Sequence, residues 1–585
     1  MCGICGIFGQ SDKRVVQNML EAIKHRGPDN EGFYEDDRIS LGVCRLSIVD
    51  IERGNQPIFN EKHTMCIIFN GEIYNYLDLR KKLIERGHRF STKADTEVIL
   101  HLFEEYGRDC VGYLKGMFAF AIWDGENLLL ARDRMGIKPL FYTFLPHKKL
   151  FLFGSEIKTI FQHPEVDRAI NEQTLCEQSV LGFILSPDES LFKGVKQLLP
   201  GTTMLVSKDS GDEIHIETRR YFSLKDIYQK TEPADIQSIT NSLQSEFENT
   251  SKLFSAHSEL EKSLFLSGGL DSSLLATFFS KALPIKTFSI ADTTSSPDLQ
   301  FARKVANFIG SEHYEVRITF DDILKELPNF AVAYENLSFG GGFNRGGDLA
   351  FFLLSKEIAK RVKIAITGEG ADELFGGYWM HKWPLGYSDR IKERLNKFDL
   401  SQNPYARDLM ERLEEWFPPE ENKDLYFLNT LKFFLGSGLS NYHLWAVDRS
   451  SMWHSLEVRV PYLYDDLLQF ALEIPGDLKV KDGETKFILR RFAERYFKNG
   501  DMREIIQRKK KAMPDAIENI SQDLHSFCNS QIPDKYMVQH PYKQYFHDKV
   551  DVLMFDLLYK VFIENRGKVP EGFTIGDLYK VLEAA

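Results

Sequence analysis

Cysteine occupies position 2 of the chain, and this residue could act as a nucleophile. It opens a run of small and apolar residues that ends at Gly9 and contains a second cysteine, Cys5. If Met1 is removed, Cys2 carries a thiol and a free α-amine on one residue. A thiol with a pKa of about 8.5 is only slightly ionised at neutral pH, whereas an α-amine with a pKa of about 7.7 to 8 can serve as its base. The alternative is that Cys2 and Cys5 are incidental small residues at the start of a strand.

A second group of residues suits a phosphate ligand. A short apolar run ends at Leu266 and is followed by Ser-Gly-Gly-Leu-Asp-Ser-Ser at 267–273 and then by an apolar helical pattern. A buried strand that turns through small residues into a helix directs backbone N–H groups and the positive helix end at one place. The alternative is a tight turn between a strand and a helix. The residues that we predict to bind the phosphate ligand here are Leu266, Ser267, Gly268, Gly269, Asp271, Ser272 and Ser273.

This loop is similar to the PP-loop of enzymes that cleave ATP between its α and β phosphates. The chain has no Gly-x-x-x-x-Gly-Lys-Ser/Thr segment, so transfer of a γ-phosphoryl group by that loop is not supported. A second short strand pattern ends in residues 367–378, and neighbouring parallel strands place such loops at one edge of a sheet. We therefore expect Asp271 and Asp372 to bind Mg²⁺ beside the pyrophosphate, or alternatively to cap helices. The predicted ATP site is completed by Ile290, Thr367 and Gly368.

The strands and helices predicted around Cys2 indicate an α+β domain. Short apolar or alternating runs predict strands, and longer periodic runs predict helices. The clearest strands are 65–69, 117–123, 128–131 and 150–153, and the clearest helices are 15–25, 76–86 and 96–106. The polar stretch 208–217 is interpreted as a connector.

From about residue 221 the pattern changes to helices that alternate with short buried strands. The clearest of these strands are 263–266, 285–290 and 363–367, which is typical of a doubly wound parallel sheet. The last stretch is aromatic-rich, and its best helical pattern covers 552–562. The predicted domains are therefore 1–207, 221–520 and a helical C-terminal extension, 521–585.

Composition restricts the functional classes. The 585 residues are 43% hydrophobic and carry a formal charge of −12, which argues against nucleic-acid binding; the basic cluster 508–511 is interpreted as a solvated face. The seven cysteines are an odd, scattered set, which favours free thiols in a reducing compartment. No apolar run approaches the roughly 18 residues of a membrane helix, and the N-terminus lacks the charged-then-apolar layout of a signal peptide. We expect a cytoplasmic protein without a membrane partner.

Four ordered motifs in the first domain carry a resemblance. Together with Cys2, residues 25–29, 45–50, 69–75 and 94–97 resemble a class II glutamine amidotransferase domain, which is an N-terminal-nucleophile hydrolase. The resemblance implies that Arg45 pairs with the carboxylate of glutamine and that Glu72 and Asp95 bind its amino end. It also implies that Asn70 and the Gly71 N–H form an oxyanion hole, which suits a thioester route through a tetrahedral oxyanion.

Both domains together, with residues 131–140 and 451–461, resemble glutamine-dependent asparagine synthetases over about residues 1–515. The implied fold is an α+β N-terminal-nucleophile hydrolase sandwich followed by an α/β doubly wound PP-loop ATP pyrophosphatase domain. Glu369 and Lys486 are predicted as catalytic residues, because Lys486 falls where the family keeps a lysine at the adenylation site. Without the resemblance, Lys486 would be interpreted as a solvated helix residue. A homodimer is compatible with this family, although the sequence leaves the oligomeric state open.

The chain departs from the family pattern at 258–263, at the glycine-rich segment 339–348 and at 461–464. The glutamine and ATP motifs are intact, whereas the acceptor side is altered. Arg345 is the cation of the glycine-rich segment and is expected either to pair with an acceptor carboxylate or to be a solvated loop residue. Aspartate is the default acceptor, and a sugar acid or a natural-product intermediate is the alternative.

The predicted function is an ATP-dependent amidotransferase. Cys2 releases ammonia from glutamine, the second domain adenylates an acceptor carboxylate, and ammonia that has crossed between the domains displaces AMP. One alternative is a regulatory glutamine sensor with an inactive second domain, which the retained Asp271, Asp372, Glu369 and Lys486 disfavour. Another is a PP-loop enzyme that modifies tRNA, which the acidic charge disfavours.

Overall fold

The computed structural model describes residues 1–224, 235–338, 347–382, 387–396, 403–416, 423–498, 500–508 and 517–579. Their strands form two sheets of six strands and one of five. In chain order the strands are β1 (Cys2–Phe8), β2 (Asn30–Glu35), β3 (Ile39–Arg45), β4 (Ile58–Phe59), β5 (Cys66–Ile73), β6 (Gly116–Trp123), β7 (Leu128–Arg132), β8 (Phe141–Leu145), β9 (Leu150–Gly154), β10 (Lys196–Gln197), β11 (Thr202–Lys208), β12 (Ile214–Arg220), β13 (Lys262–Phe265), β14 (Lys286–Ala291), β15 (Glu312–Arg317), β16 (Ile364–Ile366) and β17 (Glu457–Arg459).

The α-helices of the described residues pack on the outer faces of the two six-stranded sheets and against the five-stranded sheet, and they form most of the C-terminal third. They are α1 (Lys13–Ile23), α2 (Tyr76–Glu85), α3 (Asp95–Tyr106), α4 (Ile157–Ile160), α5 (Glu172–Leu181), α6 (Ile236–Ala256), α7 (Leu270–Ala282), α8 (Pro297–Ile309), α9 (Phe320–Tyr334), α10 (Gly347–Ala359), α11 (Ala371–Phe375), α12 (Tyr387–Leu395), α13 (Pro404–Trp416), α14 (Lys423–Phe433), α15 (Leu444–Met452), α16 (Asp465–Glu473), α17 (Gly476–Lys479), α18 (Phe487–Ala493), α19 (Gly500–Gln507), α20 (Glu518–Gln531), α21 (Asp534–Gln539) and α22 (Lys549–Leu558). Two π-helical segments, Phe434–His443 and Tyr559–Glu564, follow α14 and α22. None of the described helices is long and apolar enough to cross a membrane.

The first domain is a sandwich of two antiparallel sheets between layers of helices. The strand orders are β10-β8-β9-β1-β3-β2 and β12-β11-β7-β6-β5-β4. Alternation along β1 turns Ile4 and Phe8 toward the core between the sheets, while Cys5 and Ile7 face α1. Helices α1 and α4 cover the first sheet, and α2 and α3 cover the second. This confirms the predicted α+β hydrolase sandwich.

The predicted connector at 208–217 is wrong. Strand β11 extends to Lys208, and β12 pairs with it antiparallel from the match of Lys208 with Ile214 onward. The predicted domain limit at residue 207 therefore lies within β11. The error has a physical cause, because β12 is an edge strand whose side chains are mostly exposed, so its apolar pattern is limited to Ile214 and Ile216 at its start.

The second domain contains a parallel sheet with the order β15-β14-β13-β16-β17. The strand order reverses between β13 and β16, which are hydrogen-bonded neighbours. The loops that follow these two strands therefore meet at the carboxyl edge of the sheet, where ligands of doubly wound folds bind. This confirms the predicted PP-loop type of α/β domain.

The described part of the C-terminal extension is helical, and the predicted helix at 552–562 corresponds to α22 and the π-helical segment after it. Phe562 contacts Phe161 and Phe192 of the first domain, with ring centroids 6.2 and 5.3 Å apart. Helix α22 also packs against α9 of the second domain. The extension therefore shares a core with both domains.

Candidate active sites

Cys2 lies in the middle of the sandwich because of its position in β1. Side chains alternate along a strand, so Cys2 lies on the same face of β1 as Ile4 and points toward the second sheet. For the same reason, Asn70 lies on the inward face of β5 together with Cys66 and Ile68. The backbone N–H of Cys2 donates a hydrogen bond to Asn70 Oδ1 at 3.1 Å. Asn70 is buried, and its Nδ2 has no hydrogen-bond partner among the described residues. That amide nitrogen is available to donate to a ligand beside the thiol.

A second donor follows from the sheet register. Gly71 is paired with Phe118 in β6, but the N–H of Phe118 donates to Asp133 Oδ2 at 3.1 Å, and its carbonyl accepts from the N–H of Asp133 at 2.8 Å. The Gly71–Phe118 pair is therefore not hydrogen-bonded, so the Gly71 N–H points away from β6. Gly71 also lines the pocket at Cys2. The predicted oxyanion hole of Asn70 and Gly71 thus has two donors beside the Cys2 thiol.

The pocket beside Cys2 is lined by four of the five residues predicted for glutamine, namely Arg45, Gly71, Glu72 and Asp95, and Asn70 contacts the Cys2 N–H beside it. It is lined by Met1, Cys2, Arg45, Leu46, Ile48, Val49, Gly54, Gln56, Phe69, Gly71, Glu72, Ala94, Asp95 and Thr96. The Arg45 guanidinium donates to the carbonyl oxygens of Val49, Asp50 and Ile51 and to Asn55 Oδ1, at 2.8 to 3.1 Å. Arg45 therefore holds the 49–55 loop against the pocket and supplies its positive charge.

Two carboxylates in the pocket differ in charge state. Burial opposes ionisation of Glu72, but His257 and Arg459 outweigh it and lower the pKa of Glu72. Asp95, the first residue of α3, accepts the N–H of Ile73 at 2.9 Å. Burial and the nearby charge of Glu72 raise the pKa of Asp95 to about 7. Asp95 thus titrates near neutral pH while Glu72 stays ionised.

The N-terminal end of β1 is fixed by contacts with the second domain. The Met1 ammonium lies 3.3 Å from the Leu46 carbonyl and 3.2 Å from Glu457 Oε2. Arg26 donates through Nε to the Cys2 carbonyl at 3.1 Å and through both Nη atoms to Asp448. With Met1 present, burial raises the pKa of the Cys2 thiol against the lowering effect of the Met1 ammonium.

The predicted phosphate loop lies at the carboxyl end of β13. Gly268 has a φ of +66°, and a Cβ there would collide with Phe301, so this position requires glycine. Ser267 Oγ lies 3.1 Å from Ser272 Oγ and accepts the N–H of Gly269 at 3.2 Å. Helix α7 begins at Leu270, directly behind these residues. The loop therefore presents hydroxyl groups and backbone N–H groups at a helix N-terminus.

Lys486 lies between Asp271 and Asp372, the two residues predicted to bind Mg²⁺. The Lys486 ammonium contacts Asp271 and lies 2.5 Å from Asp372 Oδ1. Burial opposes the charge of Lys486, but the two carboxylates outweigh it and raise its pKa. Lys486 has a left-handed φ of +54°, a conformation that is strained for a residue with a side chain and that recurs at functional sites. A Cβ at Gly377 would collide with both Asp372 and Lys486, so this glycine, which the sequence did not single out, permits their approach.

Other predicted residues occupy the same sheet edge. Gly368 lies close to Asp271, since a Cβ on Gly368 would be 3.5 Å from that of Asp271. Ile290 and Thr367 are buried at the ends of β14 and β16, and the Thr367 N–H donates to the Arg459 carbonyl at 3.0 Å. Glu369 Oε2 lies 3.6 Å from His443 Nδ1. Residues 339–346, including Arg345, lie outside the described residues.

Several contacting residues were not found from the sequence. His257 and Arg459 reach Glu72 from the second domain, at 2.8 and 3.5 Å. The interpretation of the cluster 508–511 as a solvated face is wrong for Arg508, which contacts Asp298 and donates to the Ser267 carbonyl at 3.1 Å. Lys509, Lys510 and Lys511 lie outside the described residues. No sequence pattern identifies such contacts, because they join segments that are about 190 to 390 residues apart.

Comparisons with known proteins match both halves of the chain. A family profile described as glutamine amidotransferase domain matches residues 1–222, and one described as asparagine synthase matches residues 255–557. A Bacillus subtilis protein named asparagine synthetase (glutamine-hydrolyzing) 3 is 33% identical, with 88% of this chain and 87% of that protein covered. Asparagine synthetase (glutamine-hydrolyzing) 1 of the same organism is 29% identical, with 97% and 98% covered. The human protein named asparagine synthetase (glutamine-hydrolyzing) is 29% identical, with 92% and 89% covered.

Proposed function

The chain belongs to the family of glutamine-hydrolysing asparagine synthetases, and we propose that it moves the amide nitrogen of glutamine to the side-chain carboxylate of aspartate while cleaving ATP to AMP and pyrophosphate. The observation that carries the proposal is the presence of two complementary sites in one chain. Cys2 faces the Asn70 and Gly71 donors in the first domain, and Lys486 joins Asp271 to Asp372 at the phosphate loop of the second.

The first reaction requires removal of Met1. The Cys2 nitrogen, which already contacts Asn70 Oδ1, then becomes an α-amine that accepts the thiol proton. The sulfur attacks the side-chain carbonyl carbon of glutamine, and the resulting oxyanion accepts hydrogen bonds from Asn70 Nδ2 and the Gly71 N–H. The amide nitrogen leaves as ammonia with the transferred proton, and water hydrolyses the thioester to glutamate. Loss of one oxyanion donor typically lowers kcat by about 10² to 10³.

Glutamine is oriented by charge at its other end. The Arg45 guanidinium attracts the glutamine α-carboxylate, which competes with the carbonyl oxygens of the 49–55 loop for its N–H groups. Asp95 and Glu72 attract the α-ammonium. Burial of all three side chains supports this assignment, because charged hydrogen bonds are stronger where water is excluded.

The second reaction activates aspartate. A carboxylate oxygen attacks the α-phosphorus of ATP, the bond to the β-phosphate oxygen breaks, and pyrophosphate leaves toward the 267–273 loop. Lys486 stabilises the negative charge that develops in this step. Asp271 and Asp372 suit Mg²⁺, since both carboxylates already converge on one cationic group, Lys486. Mg²⁺ bound there would neutralise charge on the pyrophosphate.

The third reaction joins ammonia to the activated aspartate. Ammonia attacks the acyl carbon, AMP leaves, and Glu369 accepts the excess proton. Ammonia in water is mostly protonated and not nucleophilic, so it must pass between the domains without reaching solvent. Tyr74 and Met117 share an apolar cluster with Phe254 and other residues of the second domain, and the Tyr74 and Phe254 rings stack with centroids 4.1 Å apart, which supports an enclosed route.

The family departures that the structure describes support aspartate as the acceptor. The Tyr462 hydroxyl donates to the Asp271 carbonyl at 3.2 Å. Tyr464 packs against Tyr74 and Phe254, and Ser258 Oγ donates to the Ile48 carbonyl at 3.1 Å. These residues therefore contact the phosphate loop backbone or the domain interface, which gives them roles that do not involve a new acceptor.

Pyrophosphate release tests the acceptor. The full-length protein is assayed with ATP, Mg²⁺ and ammonium, and with aspartate, glutamate, glucuronate or no acid. Aspartate is expected to give the highest kcat/KM, and asparagine should form in the same amount as pyrophosphate. A sugar acid that replaces aspartate, with no asparagine formed, would contradict the proposal. An Arg345→Ala variant with a raised KM for that acid would then assign the change to the 339–348 segment.

A cytoplasmic location is part of the proposal. All seven cysteines are free and buried, which supports a reducing compartment. A homodimer is proposed from family membership alone, and sedimentation equilibrium of the full-length protein tests it.

A further inference from the structure

A cluster of two histidines and two glutamates lies on the helical layer of the first domain, apart from both reaction sites. Glu61 follows β4, His88 follows α2, and His101 and Glu104 belong to α3. Each residue offers one ligand atom, and these four atoms lie within 4.8 Å of one another. The cluster therefore brings together three separate segments of the chain, which are the loop after β4, the loop after α2, and helix α3.

The converging atoms can be identified from the pairwise distances. His101 Nδ1 lies 2.8 Å from Glu104 Oε2 and 3.9 Å from Glu61 Oε2, and His88 Nδ1 lies 3.5 Å from Glu104 Oε2. Tetrahedral ligands with bonds of about 2.0 to 2.1 Å are about 3.3 Å apart. Shifts of less than about 1 Å, mainly in the partly exposed side chains of Glu61, His88 and Glu104, would bring the cluster to that geometry.

The second nitrogen or oxygen of each of these four side chains points away from the centre of the cluster and lies near another polar group. His88 Nε2 lies 3.0 Å from Glu105 Oε1, and His101 Nε2 faces Glu97 Oε1 at 3.7 Å. The Arg89 N–H donates to Glu61 Oε1 at 2.9 Å, and Asn60 Nδ2 donates to Glu104 Oε1 at 2.9 Å. At 3.7 Å, the contact between His101 Nε2 and Glu97 is too long for a hydrogen bond. At His88, the carboxylate of Glu105 favours a hydrogen on Nε2, which leaves the Nδ1 lone pair directed inward. Metal-binding histidines are commonly oriented in this way.

We propose that Glu61, His88, His101 and Glu104 bind a divalent transition-metal ion, with Zn²⁺ as the physiological class. Two neutral imidazoles and two carboxylates give four ligands whose charge balances a divalent cation. Imidazole nitrogens suit zinc and its neighbours in the first transition series, whereas Mg²⁺ and Ca²⁺ prefer oxygen ligands. His101 is fully buried, so the site has an enclosed side, and Glu61 gives access from solvent.

The ion would act on the glutamine pocket through α3. His101 lies six residues after Asp95, which begins the helix and lines that pocket, a distance of about 9 Å along the helix axis. A bound ion would join α3 to the loops at Glu61 and His88. It would therefore stabilise the first domain without contacting glutamine.

Zinc content of the full-length protein tests this proposal. All proteins carry Cys2→Ala to remove the active-site thiol and are assayed in excess Mg²⁺ to occupy the Asp271–Asp372 site. After chelation, addition of Zn²⁺ and desalting, the reference protein should retain one more zinc per chain than His88→Ala and Glu104→Gln. Glu105→Gln, which removes a carboxylate behind His88, should bind about 10- to 100-fold more weakly.

The matched control is His215→Ala. His215 forms an exposed pair with Asp209 at 2.9 Å without a second histidine, so this variant should retain the ion. The Glu72–Asp95–His257 group could also hold a metal ion. It is intact in every variant, so any zinc bound there contributes equally to each measured zinc content. Addition of Zn²⁺ should raise the Tm of the reference and of His215→Ala but not of His88→Ala or Glu104→Gln. Equal zinc content in the reference and in Glu104→Gln, which preserves the side-chain shape, would overturn the proposal.

Discussion

His257 Nδ1 lies 2.8 Å from Glu72 Oε2, so a histidine of the second domain is paired with a glutamate that lines the glutamine pocket of the first. Burial disfavours both charges, but the pairing outweighs it, which raises the pKa of His257 and lowers that of Glu72. Arg459 is the second cation at Glu72, and its carbonyl accepts the N–H of Thr367 at the end of β16. A continuous set of contacts thus joins the glutamine pocket to the ATP-binding edge of the parallel sheet.

His257→Gln should raise the KM for glutamine. Loss of this cation leaves Glu72 with Arg459 as its ion-pair partner, and a loss of about 1.4 kcal/mol or more in charge pairing corresponds to about tenfold or more in binding. The measurement is glutaminase kinetics with ATP and aspartate present, with His215→Gln as an exposed control. A KM equal to that of the unsubstituted protein would show that the pair does not organise the pocket.

Cys2→Ala should abolish glutamine hydrolysis and retain ammonia-dependent asparagine formation. The thiol lies in the sandwich, whereas Lys486 and its carboxylates lie at the edge of the parallel sheet, so the two reactions use different groups. Both rates are measured on the same folded preparation. Loss of both activities in that preparation would refute the separation of the sites.

An uncleaved N-terminal extension should have the same effect as Cys2→Ala. The Cys2 nitrogen would then be an amide, which cannot accept the thiol proton. Glutaminase activity is measured before and after a protease removes the extension to expose Cys2. Full activity before cleavage would exclude the α-amine as the base.

The KM for glutamine should rise as the pH falls below about 7. The pKa of Asp95 is raised to about 7, so its carboxylate is ionised above that pH and neutral below it. The α-ammonium of glutamine requires the ionised form, so each pH unit well below the pKa should cost up to about tenfold in binding. Asp95→Asn should have a high KM that does not follow this titration. A KM for the unsubstituted protein that is constant through the neutral range would contradict the assignment.

Asp271→Asn and Asp372→Asn should each lower pyrophosphate release and spare basal glutaminase activity. Each substitution removes a charge at the Lys486 site and none at the glutamine pocket. The Mg²⁺ concentration that gives half-maximal activity should increase, which a purely structural role would not produce. Pyrophosphate release that survives both substitutions would remove these residues from the site.

Local pattern was sufficient to predict the elements that carry the chemistry. The alternation that buries Ile4 also turns Cys2 inward, and the strand-to-helix pattern around Gly268 predicts the phosphate loop. The contacts between domains were not predictable, because His257 follows a helix and Arg459 ends a strand in segments that carry no signal for glutamine binding. The strand β12 was missed because it is an exposed edge strand whose apolar alternation is limited to Ile214 and Ile216.

Transfer of labelled nitrogen tests the central claim that both sites act in one passage of ammonia. The protein is supplied with ATP, Mg²⁺, aspartate and glutamine whose side-chain amide carries heavy nitrogen, in the presence of excess unlabelled ammonium. An enclosed route from Cys2 to the Lys486 site predicts asparagine whose amide nitrogen is mainly heavy, formed together with AMP and pyrophosphate in equal amounts. Asparagine labelled only to the extent of the mixed ammonia pool, or no asparagine at all, would contradict the account.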